Sequence, residues 1–213
     1  MGLSITVGLL NDLARNDPEG WEHHLGAFDL LNRALAGQGV DWREPGGDPA
    51  GGALHAGGFP YGYLSHLRRS YVLRLLGEPV TPARAVDDEQ YARDQEKVQD
   101  ELSMFSSHLL CHADNAGYYV PVDLSEPLFL PEEDGVAGYG MVGSSQRLQS
   151  ELLWLAPGIG IHPDEDGTLS PAERAKLGAL ASTDPFEPEK FAWAQLHAAC
   201  RSSIASGHAI VFG

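Results

Sequence analysis

Apolar residues recur at helical spacing in several stretches of the chain, and polar capping residues precede many of them. The clearest stretch follows Asp17-Pro18, an N-cap residue and the proline favoured at the first helical position. Asp87 with Gln90, and Ser170 with Glu173, have the spacing of a capping box. The pattern predicts about six helices, which start near residues 18, 60, 88, 145, 171 and 187.

Short runs rich in β-branched and aromatic residues predict strands at 3–10, 107–112, 118–123 and 208–212. The turn at residues 114–117 has Asp first and Gly fourth, which favours a hairpin over 107–123. We therefore expect one α+β domain over residues 1–213. Its small, mainly antiparallel sheet would consist of the N-terminal strand, the central hairpin and the C-terminal strand, packed by the helices.

Residues 44–58 interrupt this pattern with six glycines and two prolines. Such a composition is typical of a connector without regular structure. We predict a flexible Gly/Pro-rich connector inside the single domain.

Charge is the strongest global signal, because 30 acidic residues stand against 14 basic ones and give a net charge of −16. After Val86 the counts are 21 acidic and 7 basic, so most of the excess lies in the last two thirds. A field of this sign repels phosphate and anionic lipid and attracts basic proteins. We expect a basic protein partner, no nucleic acid and no membrane. The alternative is that the acidity serves only solubility.

The N-terminal segment and the number of cysteines indicate the cellular compartment of the protein. The N-terminus has no basic region before its apolar run, and no stretch reaches the roughly 18 apolar residues of a membrane span. Two cysteines, Cys111 and Cys200, are too few for a disulfide framework. The sequence therefore predicts a cytoplasmic protein.

Two acidic segments, 87–101 and 123–134, and the tyrosines near the hairpin are candidates for a partner surface. Tyrosines beside an acidic rim are common in protein interfaces, although core packing with the hydroxyl at the surface explains them equally well. The predicted partner-binding residues are Asp94, Asp100, Glu132, Glu133, Tyr118 and Tyr119.

A candidate calcium site lies at residues 162–173, which resemble a degenerate EF-hand calcium loop. Asp164, Asp166 and Glu173 occupy ligand positions, and Gly167 occupies the position of the sharp turn. The first ligand position holds His162, whose nitrogen suits a hard cation poorly. An acidic turn leading into a capped helix would produce the same letters.

A second candidate metal site lies on the predicted hairpin, where His108 and His112 share a strand face and Asp114 follows at the turn. Imidazole and carboxylate suit zinc. However, residues 108 and 112 on a regular strand are roughly 13 Å apart, too far for one ion without a bulge. Hydrogen bonding within the turn and across the hairpin is the alternative role for these groups.

Signatures of nucleophilic catalysis are missing from the sequence, which contains neither G-x-S-x-G nor H-E-x-x-H. Cys111 and His112 are adjacent and would point to opposite faces of a strand, so the histidine cannot serve as its base. We name no catalytic residue.

Several segments together resemble an uncharacterised family of bacterial proteins of unknown function. The segments are Phe59-Pro60-Tyr61, 107–114, 117–121, 143–148 and 210–213. The resemblance implies no activity and no site residue. In charge and size alone, the chain is also similar to immunity proteins that neutralise basic toxins.

These observations favour a non-enzymatic, acidic, cytoplasmic binding protein that engages a basic protein partner. The alternative is a metal-dependent enzyme, or a domain regulated by calcium or another metal, that uses His112 and Asp114 or the 162–173 loop. We expect no cofactor under the first interpretation and Ca or Zn under the second.

Overall fold

The computed structural model describes residues 2–48 and 50–213. The six strands are β1 (Gly2–Val7), β2 (His55–Pro60), β3 (Gly117–Val120), β4 (Leu128–Phe129), β5 (Met141–Ser144) and β6 (Ile210–Phe212). The eight helices are α1 (Leu9–Asn16), α2 (Pro18–Gly37), α3 (Tyr63–Leu75), α4 (Asp88–Leu102), α5 (His108–Cys111), α6 (Ser145–Leu155), α7 (Pro171–Gly178) and α8 (Glu187–Ser206). Short 3₁₀ turns occur at Ala83–Ala85, Glu132–Asp134 and Ala156–Ile159.

The strands form one mixed sheet in the order β2-β1-β6-β3-β5-β4. β3 and β5 are parallel, and every other neighbouring pair is antiparallel. The predicted fold class, a single α+β domain with strands from both ends of the chain, is confirmed. The structure has eight helices among the described residues where about six were expected: α5 lies in the segment interpreted as a strand at 107–112, and α1 follows β1 and overlaps the predicted first strand only at residues 9 and 10.

Helices cover both faces of the sheet, and each face has its own apolar core. Ile5, Tyr119 and Ile210 point toward α3, α6 and α8, where the buried Trp193 lies. The alternate strand residues, such as Tyr118 and Val211, pack with the apolar side of α2. This alternation follows the two-residue period of a strand, so the sheet forms the middle of a three-layer domain.

The predicted hairpin was wrong in its first half, because residues 108–111 are helical. The Ser107 side chain accepts a hydrogen bond from the Leu110 N–H, and the Glu151 carboxylate accepts from the N–H groups of His108 and Leu109. These acceptors satisfy the free donors of the first helical turn and outweigh the local β preference. Consequently β3 pairs with β5 and β6 instead of with residues 107–112.

The glycine-rich connector ends earlier than the sequence indicates, because residues 55–58 belong to β2 and pair with β1. Gly58 lies opposite Ser4, and a Cβ there would come within 2.2 Å of the Leu3 carbonyl oxygen. Glycine therefore serves close strand pairing at this position. The flexibility predicted for the rest of the connector stays a prediction.

The predicted helix caps are present. The side chains of Asp17, Asp87 and Ser170 accept backbone N–H groups at the starts of α2, α4 and α7. Among the described residues, no helix is both long and apolar enough to span a bilayer.

Candidate interaction surface

The outer side of α4 carries an unusual number of carboxylates. Helical spacing places Glu89, Glu96 and Asp100 on one side of the helix, and all three side chains are exposed. Arg93 pairs with Glu89 at 2.6 Å. Among the described residues, five carboxylates of this segment have no ion-pair partner: Asp87, Asp88, Glu96, Asp100 and Glu101.

Asp94 does not belong to this exposed set, although the sequence predicted it as a partner-binding residue. Its side chain is 1% exposed and accepts from Arg69 Nε at 2.8 Å and from Gln90 Nε2 at 2.8 Å. Burial opposes ionisation, but the hydrogen bonds from Gln90 and Arg69 lower the pKa of Asp94 below its usual value. Asp94 therefore joins α4 to α3 inside the protein.

Two exposed phenylalanines connect α4 to the second acidic segment. The rings of Phe105, just after α4, and Phe129, on β4, meet edge to face with centroids 5.3 Å apart. This contact places the end of α4 next to β4, the outermost strand of the sheet. Asp123, in contrast, is paired with Arg147 at 2.6 Å.

We use the name acidic face for the exposed carboxylates on the outer side of α4 and on the 126–133 segment that have no ion-pair partner among the described residues. Its members are Glu96, Asp100, Glu126, Glu132 and Glu133. Three predicted residues, Asp100, Glu132 and Glu133, are exposed, and their role in partner binding stays a prediction. Glu96 and Glu126 were missed individually, although the helical spacing of Glu89, Glu96 and Asp100 carried the signal for the first.

The two tyrosines predicted to contact a partner are buried. The Tyr119 hydroxyl donates to the His108 carbonyl at 2.9 Å, and its ring stacks on His112 at 4.2 Å. Tyr118 packs against Phe28 on the other side of the sheet. Their prediction as surface residues was wrong, because both lie on the central strand β3, which helices cover on both faces.

The predicted zinc ligands form separate hydrogen bonds and ion pairs with different parts of the fold. His108 Nδ1 accepts from the Ser144 N–H, whereas His112 Nδ1 donates to the Ala113 carbonyl. Asp114 forms an ion pair with Arg68, whose guanidinium also donates to the Leu109 and His112 carbonyls. Burial lowers the pKa of His108 to about 4 and that of His112 to about 3, so both rings are neutral near pH 7.

The calcium-loop interpretation of residues 162–173 also finds no support. Glu173 is buried and accepts from the His162 N–H and from Lys176, while Asp166 accepts from Thr168. A 3₁₀ turn at Ala156–Ile159 replaces the helix that would enter an EF-hand. In the part of the chain that the structure describes, no three His, Cys, Asp or Glu side chains converge as metal ligands.

The cleft that contains His108 brings it together with a buried carboxylate, and both groups hold secondary structure. His108 and Glu151 line a cavity of about 310 Å³ together with Arg147 and Tyr71. Burial raises the pKa of Glu151 to about 7, against the hydrogen bonds it accepts from Leu109 and His108. Since that carboxylate caps α5 and His108 Nδ1 fixes the Ser144 N–H, their chemistry is structural.

The fold and the surface define the class of the molecule as a single-domain α+β protein with exposed, unpaired carboxylates on α4 and on the 126–133 segment among the described residues. The sequence profile of a family described as "Putative DNA-mimic protein" matches residues 1–212, and the chain belongs to that family. No curated protein and no solved structure matches the chain.

Membership of this family corrects one expectation about partners. The prediction that nucleic acid has no part in the function was wrong, because the family is described as DNA mimics. A DNA mimic takes the place of DNA on proteins that bind DNA. The expected basic partner is compatible with the family, since DNA-binding surfaces carry Lys and Arg.

Proposed function

We propose that this protein is a DNA mimic whose acidic face occupies the DNA-binding surface of a basic protein. The observation that carries the proposal is the set of five exposed carboxylates without an ion-pair partner among the described residues on α4 and the 126–133 segment, which the contact of Phe105 with Phe129 joins. The membership of the chain in a DNA-mimic family supports it. The partner is a basic cytoplasmic protein, and the mimic acts by binding and not by catalysis.

Charge density along α4 supports the same proposal. From Asp87 to Glu101 the helix rises about 21 Å at 1.5 Å per residue. One strand of DNA places about six phosphates along that length, at 3.4 Å per charge. The helix offers five carboxylates without an ion-pair partner among the described residues over this distance. The number of carboxylates per unit length of α4 is therefore similar to the number of phosphates on one DNA strand, although the five are distributed around the helix and only Glu96 and Asp100 belong to the acidic face.

A rigid scaffold behind these charges makes the mimicry effective. Asp87 caps α4 through the Gln90 N–H, and the buried pair of Asp94 and Arg69 fixes its inner side. Groups that are ordered before binding lose less conformational entropy when the complex forms. The carboxylates of α4 can thus present a fixed pattern, as phosphates on a duplex do.

Displacement of DNA tests the proposal directly. Purified bacterial DNA-binding proteins, including a helix-turn-helix repressor, a nucleoid protein and a nuclease, would each be loaded with a fluorescent duplex. We expect the protein to release the duplex from at least one of them, competitively and at micromolar concentration or below. Failure to displace duplex from any class of DNA-binding protein would contradict the proposal.

A further inference from the structure

The end of α4 presents exposed apolar side chains within an otherwise acidic surface. Phe105 is 56% exposed, Phe129 49% and Met104 68%. Neither phenylalanine belongs to the two buried cores, and their contact joins segments 24 residues apart in sequence. Exposed aromatic residues that cluster in this way mark interaction sites more often than isolated ones do.

The backbone at Phe105 carries a second, independent signal. Its φ is 55°, a left-handed conformation that residues other than glycine adopt at a steric cost. At comparable turns after α3 and α8 the chain has Gly77 and Gly207. The turn after α4 therefore holds a large apolar side chain in a strained conformation, directed to solvent, and such strain is typical of functional positions.

Carboxylates lie close to the pair on both segments. Glu126 and Glu132 are each three residues from Phe129, so their Cα atoms lie within roughly 11 Å of it. Asp100 occupies the last turn of α4 before Phe105. An occupant of this surface must therefore satisfy negative charge and apolar contact at the same time.

We infer that Phe105 and Phe129 form an apolar anchor for a basic protein segment that carries apolar side chains among its lysines and arginines. The inference rests on the proposed function and adds the chemistry of the partner. Carboxylates attract any basic groove, whereas the aromatic pair favours a partner whose basic surface includes an apolar pocket or helix face. Affinity would then depend on the anchor as interface hot spots do.

The anchor can be removed without damage to the fold. Phe105→Gly relieves the left-handed strain, and Phe129→Ser changes an exposed position on the two-residue strand β4. We expect the thermal midpoint of the double variant to be unchanged or raised relative to the wild type. Tyr61→Ser, at an aromatic side chain 62% exposed outside the acidic face, is the matched control.

Two synthetic basic peptides of equal charge and length separate the anchor from the carboxylates. One has leucines along one side of a lysine-rich helix, and the other has serines in their place. The wild type should bind the leucine peptide roughly tenfold more tightly than the serine peptide. Phe105→Gly with Phe129→Ser should abolish this difference, whereas Tyr61→Ser should preserve it.

The outcomes separate the inference from the proposed function. A leucine preference that survives in the double variant, or a preference absent from the wild type, overturns the anchor even if duplex displacement succeeds. Duplex displacement that fails while the leucine preference depends on the two phenylalanines overturns the mimicry and leaves the anchor in place.

Discussion

Individual carboxylates in this chain have opposite roles that their identity alone does not reveal. Asp94 and Asp100 lie on the same helix, yet one is buried against Arg69 and the other is exposed on the acidic face. The partner of Asp94 lies on α3, 25 residues earlier, so local spacing along α4 gave no indication of it. Ion pairs between residues distant in the sequence, such as Asp94 with Arg69 and Asp114 with Arg68, explain why these predicted site residues have structural roles.

Removing the charge of Asp94 should therefore destabilise the folded protein, because the Arg69 guanidinium would be left buried without its ion-pair partner. Asp94→Asn is expected to lower the free energy of unfolding by about 3–5 kcal/mol. Asp100→Asn, at an exposed carboxylate in the last turn of α4, should change it by less than about 0.5 kcal/mol. Urea denaturation followed by circular dichroism measures both, and equal values for the two variants would refute the structural role of Asp94.

Glu44 gives the stability a distinctive dependence on pH. Burial raises the pKa of Glu44 to about 8, although the hydrogen bond from the Ala209 N–H at 2.8 Å opposes this shift. The folded state thus holds a proton that the unfolded chain releases near its ordinary value of 4.5. This contribution is fully present below pH 4.5 and is lost as the pH rises through 8.

Glu44→Gln removes the titrating group and keeps an oxygen that can accept from Ala209. The wild type should lose up to roughly 4 kcal/mol of stability between pH 5 and pH 9 through this residue, and the variant should not. Chemical denaturation at a series of pH values compares the two curves. Parallel curves over this range would show that Glu44 is already ionised in the folded state.

At the level of elements, capping signals predicted helix starts well, and β-type composition predicted β1, β3 and β6 but wrongly predicted a strand at 107–112 and did not indicate β2, β4 or β5. Asp17, Asp87 and Ser170 act within three residues of themselves, so the sequence alone could reveal them. The segment 107–112 became helical because Glu151, 43 residues after His108, accepts the first free N–H groups. The sequence did not predict β2 for a related reason. Its glycines allow close pairing with β1, which is distant in the sequence, and local composition does not show this contact.

The role of glycine in β2 leads to a paired prediction. Gly58→Ala places a methyl group against the Leu3 carbonyl oxygen and should destabilise the protein by about 1–3 kcal/mol. Gly52→Ala, in the same glycine-rich segment, meets nothing within 4 Å and should be neutral or slightly stabilising. Thermal unfolding of both variants tests whether residues 55–58 are paired strand. Equal tolerance at the two positions would indicate a loose connector throughout.

At the scale of the whole molecule, the effect of the net charge of −16 on binding depends on where the carboxylates lie on the surface. The sequence indicated the sign of the partner and two of the segments involved. It could not indicate that Phe105 and Phe129 bring those segments together, since that contact is a product of the tertiary fold. The acidic face is therefore a property of the folded protein and not of the acidic segments taken separately.

Long-range attraction by this face predicts a strong effect of salt on association. The screening length falls from about 10 Å at 0.1 M salt to about 3 Å at 1 M. The rate at which this protein associates with a DNA-binding partner should drop steeply over this range. The dissociation rate of the complex should change little. Stopped-flow measurements at several salt concentrations give both rates. An association rate indifferent to salt would leave the acidity with a role in solubility only.

The most direct test of the account compares charge-matched variants in the displacement of duplex DNA. Asp100→Lys, Glu132→Lys and Glu133→Lys together change the acidic face, whereas Glu19→Lys, Glu22→Lys and Glu165→Lys change the net charge equally at exposed positions outside it. The account predicts that the first triple variant loses displacement by about tenfold or more and that the second stays close to the wild type. Equal losses in the two triple variants would contradict it, because net charge and not the acidic face would then determine binding.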